Sequence, residues 1–399
     1  MNRRSVFKAR DRLLPDFPIE TVWDSLPHRE AELGILWDMF KHVLERPMEA
    51  FPRVVQVIGP AGSGKTCTLR LFGRRLENRA REAGLKLRSV YLNLRVEGGR
   101  RTVLYRNLVR KIDPKLVSMS LSAEEILGNM VRYLQDTGLR IFLVIDEIDY
   151  YVRHFKGEGV VYDLTRLNEL TPGRPCGVVG AAFLARERGF HKLLDPAELS
   201  TLGRVYLVFQ PYTSRQVAEI LAKRAEEALY PGTYSDEILE FIADVTAEPP
   251  VNGDMRYALD LLLYSGILAD REGSPVIRPE HVRRVHSQTH PQLTTEDILC
   301  LPDEEKLVLL ALARALSLRK TPYVPLREIR EMTRIVCEEY GREPIEEVDE
   351  YVQDLADRRI VDVRSLTRIG ISNAPAEDLD RFLVNIIQRL KGGLLDEER

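Results

Sequence analysis

Apolar positions along this chain change their period twice. Over residues 53–210, short β-branched runs at 53–58, 88–94, 141–145, 177–183 and 204–209 alternate with stretches of helical spacing. One of these opens near Lys65; others lie at 123–136 and 160–170. Such alternation predicts a parallel α/β sheet. Beyond Pro211 the strand pattern stops, and 214–228, 235–245 and 255–268 read as helices. A third region opens near Thr294, with helices predicted at 303–316, 326–340 and 345–358, a two-stranded ribbon at 360–372 and a last helix at 377–390. Three helices followed by a ribbon is the winged-helix order. The pattern predicts three domains, at 1–210, 211–293 and 294–399.

With 399 residues, 44% of them hydrophobic, the chain can fill a core in each domain. No apolar run approaches the ~20 residues of a spanning helix, and no apolar core follows the basic start MNRRSVFKARDRLL. A soluble cytoplasmic protein with no membrane partner is expected. Cys67, Cys176, Cys300 and Cys337 form no C-x-x-C pair, which argues against a zinc ribbon or redox dithiol. His286 and His290 stand before Pro291 without a third ligand nearby, and a solvated linker is expected there.

Net charge is −3, which excludes a uniformly basic nucleic-acid binder. Charge is nevertheless sorted by region. Residues 70–111 hold thirteen Lys or Arg against three acids, whereas 345–358 holds six acids and one Arg.

Two motifs carry chemistry. GPAGSGKT, Gly59 to Thr66, fits G-x-x-x-x-G-K-[ST] without a mismatch and stands between a predicted strand and a predicted helix. Glycines let backbone N–H groups wrap a polyphosphate, and the helix N-terminus favours the anion. Lys65 is placed to reach the outer phosphates and the Thr66 hydroxyl to ligate Mg²⁺. IFLVIDEID, residues 141–149, is an apolar strand ending in acids: Asp146 suits the Mg²⁺ shell and Glu147 suits polarisation of water.

These motifs, in order with several others, resemble the AAA+ ATPases, and within them the archaeal origin recognition complex (Orc-type) replication initiators. LPHRE at 26–30 is similar to the family's adenine-flanking motif, DLTRLNE at 163–169 to the helix before its sensor strand, residues 194–213 to the passage into its lid, and GDMRYALDLL at 253–262 to its sensor 2. The resemblance implies an AAA+ base domain with an insertion at about 97–123, a helical lid and a DNA-binding winged helix. It also implies ATP or ADP with Mg²⁺ held by Gly59, Pro60, Ala61, Gly62, Ser63, Gly64, Lys65, Thr66 and Cys67. Leu26, Pro27, His28 and Arg29 flank the adenine, Tyr212 and Arg256 add contacts, and Glu147, Lys65 and Arg256 act in hydrolysis. Two features depart from the family and read as those of a diverged paralogue. The sensor strand is GAAF (180–183) without a polar group, and Ala197 stands where a basic finger is usual, leaving Arg204 as the next basic residue. A slow switch is therefore expected rather than a motor.

For DNA, the resemblance points to the insertion and the winged helix. Arg100, Arg101, Arg106, Arg110 and Lys111 lie in the first; Arg358, Arg359, Arg364 and Arg368 lie in the ribbon and the end of the helix before it. That helix carries Glu346, Glu347, Asp349, Glu350, Asp354 and Asp357, a poor set for reading bases. Implied partners are double-stranded origin DNA, a paralogous initiator and the replicative helicase. Two alternatives remain: a signalling-type P-loop ATPase whose winged helix binds protein, and a helicase-type motor.

Overall fold

The computed structural model describes residues 5–18, 23–45, 52–171, 174–291 and 293–396, with backbone alone from 389 onward. The first four and last three residues, assigned above to the first and third domains, lie outside the described residues. The chain forms two compact units, 18–212 and 213–399, and residues 5–17 belong with the second.

In the 18–212 unit, α1 (Glu30–Phe40) and α2 (His42–Glu45) precede β1 (Arg53–Ile58), α3 (Lys65–Glu82), β2 (Leu87–Asn93), α4 (Arg101–Ile112), α5 (Ala123–Thr137) and β3 (Arg140–Asp146). Then come α6 (Ile148–His154), α7 (Val160–Thr165), β4 (Val178–Ala185), α8 (Pro196–Leu202) and β5 (Tyr206–Val208). All five strands are parallel, in the order β2-β3-β4-β1-β5. This is the α/β sheet that the strand spacing predicts. Every residue of β4 is buried, so its unbroken apolar run is that of a central strand covered on both faces. The helix expected at 160–170 divides into α7 and a 3₁₀ turn, Leu167–Leu170. Thr165 Oγ1 bonds back to the carbonyls of Val161 and Tyr162 at the break.

The second unit contains α9 (Ser214–Ala228), α10 (Asp236–Ala247), α11 (Met255–Glu272) and α12 (Pro279–Thr289). They are followed by α13 (Thr295–Leu299), α14 (Asp303–Arg319), β6 (Tyr323–Val324), α15 (Leu326–Tyr340), α16 (Val348–Asp357), β7 (Asp362–Ser365), β8 (Arg368–Gly370) and α17 (Ala376–Asp396). The ribbon becomes a three-stranded sheet because β6, too short to read from sequence, pairs with β8. Helix α16 starts at Val348 rather than 345, with Glu347 at its N-cap. Glu346 and Glu347 consequently precede the helix.

Two expectations are corrected here, and one boundary is bridged by packing. Residues 5–17 do not join the 1–210 domain. Phe7 forms a β-bridge with Leu229, and Asp270 accepts hydrogen bonds from Ser5 Oγ and the Val6 amide. Residues 213–293 and 294–399 fall within one compact unit. Arg283 of α12 is buried and donates to the carbonyls of Ile371 (2.7 Å), Pro322 (2.9 Å) and Thr321 (3.2 Å), joining the helical layer to the winged helix. Finally, His286 lies on α12 and not in a linker. It is buried, Tyr257 Oη meets its Nδ1 at 2.6 Å, and burial pushes its pKa down to about 4.

Candidate functional site

The nucleotide motif sits at the carboxyl edge of the sheet, where β1 runs into α3. Gly59 is required by a close approach: a Cβ there would lie 2.4 Å from the Phe209 carbonyl oxygen, on the chain leaving β5. Gly64 has φ +84°, and a Cβ there would lie 2.5 Å from Tyr212 Oη. Gly64 also serves as N-cap of α3 and supplies no side-chain cap. The first-turn N–H groups of this 18-residue helix are thus left to an anion. Lys65 Nζ folds back on the loop, donating to the carbonyls of Gly59 (2.6 Å) and Pro60 (2.8 Å). Ser63 is buried and donates to Pro60 O; Pro60, Ala61, Gly62 and Cys67 line the half-buried rim.

Beside this loop, β3 ends at Asp146. Its Oδ2 accepts from Thr66 Oγ1 (2.7 Å) and from Tyr91 Oη (2.9 Å), and its Oδ1 accepts from the Glu147 amide (2.8 Å). The structure thus brings together the two predicted metal ligands from residues eighty positions apart. Paired hard oxygens fit Mg²⁺, which favours one or two protein oxygens plus phosphate and water. Among the described residues no group of three His, Cys, Asp or Glu could hold a metal unaided. Burial and the neighbouring carboxylate push the Tyr91 phenol up, so it stays a donor at neutral pH.

Glu147 occupies a left-handed conformation, φ 59°, and caps α6. Arg186, the first residue past β4, pairs with it at 3.4 Å and gives its own amide to Asp149 Oδ2 at 3.3 Å. Because β4 lies between β1 and β3, a residue at its end emerges between the P-loop and the acids. Phe183, in the sensor stretch, is fully buried, and no polar side chain there faces the site. Sequence reasoning missed Tyr91 and Arg186, whose roles rest on contacts between strands.

Arg29, expected beside adenine, is buried and structural in its contacts. It donates to Ser63 O (2.8 and 3.0 Å) and Gln210 O (3.0 Å), and its guanidinium lies 4.0 Å from the Tyr212 ring centroid. It therefore ties the P-loop to the end of the sheet. Tyr212 is buried, which pushes its phenol to about 12. Leu26 is buried, Pro27 is half-buried, and His28 turns the chain at φ 62°. Arg256 lies exposed in the first turn of α11, in the other unit, its amide capped by Asp254.

The predicted DNA residues divide by their partners. Arg101 pairs with Glu124 and, at 3.6 Å, with Asp163. Arg106 donates to the carbonyls of Ser118 and Met119. Lys111 donates to Tyr91 O (2.8 Å) and pairs with Glu97 (2.7 Å). In the ribbon, Arg364 pairs with Glu248 (2.5 Å), and Arg368 with Asp244 (3.0 Å) and Glu240 (3.2 Å), acids on and just after α10. Arg358 reaches Glu305 at 3.5 Å. Arg100, Arg110 and Arg359 are exposed and carry no ion pair among the described residues. Leu366, at the tip between β7 and β8, is 71% exposed.

Three family models match the chain: an AAA domain over 52–194, a Cdc6 AAA+ ATPase-type lid domain over 218–287, and a Cdc6 C-terminal winged helix domain over 296–372. The ORC1-type DNA replication protein 1 of Aeropyrum pernix is 34% identical over 312 residues, covering 77% of this chain and 75% of the relative. Among solved structures, Cdc6p from Pyrobaculum aerophilum superposes with a TM-score of 0.82 at 28% identity, covering 96% of this chain and 99% of that one. The Aeropyrum pernix ORC1 protein in complex with DNA gives 0.61 at 29% identity, covering 96% and 98%.

Proposed function

The chain belongs to the ORC1-type DNA replication proteins of the AAA+ class, and from that premise we propose that it is a nucleotide switch that binds origin duplex DNA and helps to initiate replication. ATP or ADP binds at Gly59–Thr66, and Thr66 and Asp146 are the residues that would hold Mg²⁺, which would neutralise phosphate charge there. The observation that carries this reading is the Thr66–Asp146 contact beside an uncapped helix N-terminus. Glu147 is the base for a slow hydrolysis: the end of β4 offers no polar sensor, and an arginine finger, absent at Ala197, is worth ~10³–10⁵ in rate where one operates. The protein acts in the cytoplasm, beside a paralogous initiator and the replicative helicase.

DNA contact is assigned first to Arg100, Arg110 and Arg359, whose charges meet no carboxylate among the described residues. Arg101, Arg106, Lys111, Arg358, Arg364 and Arg368 reach phosphate only by leaving the partners described above. The acidic face of α16 favours a second reading, a winged helix that docks protein. A calorimetric titration tests the nucleotide half: Lys65→Ala abolishes binding, and wild-type affinity in that variant refutes the P-loop assignment. Footprinting on origin-like and random duplexes at two salt concentrations tests the other half. Salt-insensitive or absent protection selects the protein-docking reading.

A further inference from the structure

Strand β2 lies at the sheet edge and contributes no residue to either nucleotide motif, yet it touches both the metal pair and the basic insertion. Tyr91 Oη donates to the same Asp146 oxygen that Thr66 engages. The Tyr91 ring is held under the Arg70 guanidinium, 4.0 Å from its centroid. At the main chain, the Tyr91 carbonyl accepts from Lys111 Nζ, at the end of α4. Lys111 is braced in turn by Glu97, whose Oε1 also accepts the Asn93 amide. One residue thus bonds a metal-binding carboxylate through its side chain and the arginine-rich helix through its backbone.

We propose that Tyr91 is a positioning residue that fixes the Asp146 carboxylate for Mg²⁺ and links it, through Lys111, to helix α4. A carboxylate with one oxygen held by an outer hydroxyl keeps its orientation when the metal arrives, and loss of such an outer partner commonly weakens metal affinity by about 10–100-fold. Lys111 has two competing sets of oxygen partners: its present pair, Tyr91 O and Glu97, and any phosphate that approaches α4. A phosphate that captures Lys111 releases Tyr91, which is how duplex DNA on the insertion reaches the metal site.

The inference rests on the Mg²⁺–nucleotide reading above, and its test separates the two. Calorimetry of ADP binding is run in Mg²⁺ and in EDTA with wild type, Tyr91→Phe, Lys111→Met and the double variant. Phenylalanine keeps the ring against Arg70 and removes only the hydroxyl; methionine keeps the lysine stem. Tyr91→Phe is expected to weaken binding about tenfold in Mg²⁺ and leave it unchanged in EDTA. Lys111→Met is expected to weaken binding only in Mg²⁺, and the double variant to be no weaker than Tyr91→Phe. Equal losses in Mg²⁺ and EDTA, or no loss, overturn the role of Tyr91. Additive losses in the double variant overturn the link to α4. Normal binding by Lys65→Ala, by contrast, overturns the P-loop reading and with it the role of Tyr91, whereas lost binding there with a Tyr91→Phe loss equal in Mg²⁺ and EDTA overturns the Tyr91 role alone.

Discussion

Replacing Arg283 with methionine removes one guanidinium and leaves the volume of the side chain nearly intact. The consequence follows from its partners: carbonyls of Ile371, Pro322 and Thr321 at 2.7, 2.9 and 3.2 Å, and Glu280 at 3.2 Å. The arginine is 1% exposed, so water cannot take over these contacts without opening the seam between α12 and the winged helix. Hydrogen bonds to a charged group contribute about 1.5–3 kcal/mol each and are not additive. Breaking a buried charged pair from one side costs about 3–5 kcal/mol, and we expect Arg283→Met to fall in that range. Hydrogen exchange measured by mass spectrometry reads the seam directly. Peptides spanning 321–324 and 368–372 are expected to exchange roughly two to four decades faster, at 1.36 kcal/mol per decade. Both tryptophans, Trp23 and Trp37, lie in the 18–212 unit, and their fluorescence serves as the unchanged reference. A change below tenfold at both peptides would refute the claim that Arg283 joins the two layers.

His286 makes stability depend on pH. Its folded pKa, about 4, lies below the ordinary value near 6.5, so the unfolded chain binds more protons between those limits. This contribution, of order 3 kcal/mol, is complete above about pH 6.5 and is lost as pH falls toward 4. A thermal melt of His286→Asn that keeps the wild-type loss between pH 7 and 5 would assign that loss elsewhere. Arg364→Ala with Arg368→Ala should destabilise the 213–399 unit by about 1 kcal/mol per ion pair and leave the salt slope of DNA binding unchanged. A fall in that slope of ~1.8 would show instead that both arginines meet phosphate. Glu147→Gln is expected to slow single-turnover hydrolysis by about 10²–10⁴ without loss of nucleotide binding. Arg186→Ala, which frees the Glu147 carboxylate from a half-exposed ion pair, is expected to raise that rate about two- to fivefold. No change from Arg186→Ala, or the same rise in the Glu147→Gln background, would mean that it does not act through Glu147.

The order of elements, the nucleotide loop and the acid pair are legible in the run of residues alone. Each of these is local: Gly59–Thr66 needs only its own glycines and the strand and helix that flank it, and β3 and β4 announce themselves as unbroken apolar runs. Tertiary structure decided which charges are free. Arg364 and Arg358 look alike in sequence, yet the first is held against Glu248 and a backbone carbonyl of α10 while the second reaches one carboxylate at 3.5 Å. It also decided that Arg29 braces the P-loop, that His286 is buried on a helix, and that Tyr91 meets Asp146 across fifty-five positions of chain. Backbone propensity and apolar period are properties of neighbouring residues, so a chain read in order reveals them. The partner of a guanidinium, imidazole or phenol is set by distances of about 3 Å between segments that only packing brings together.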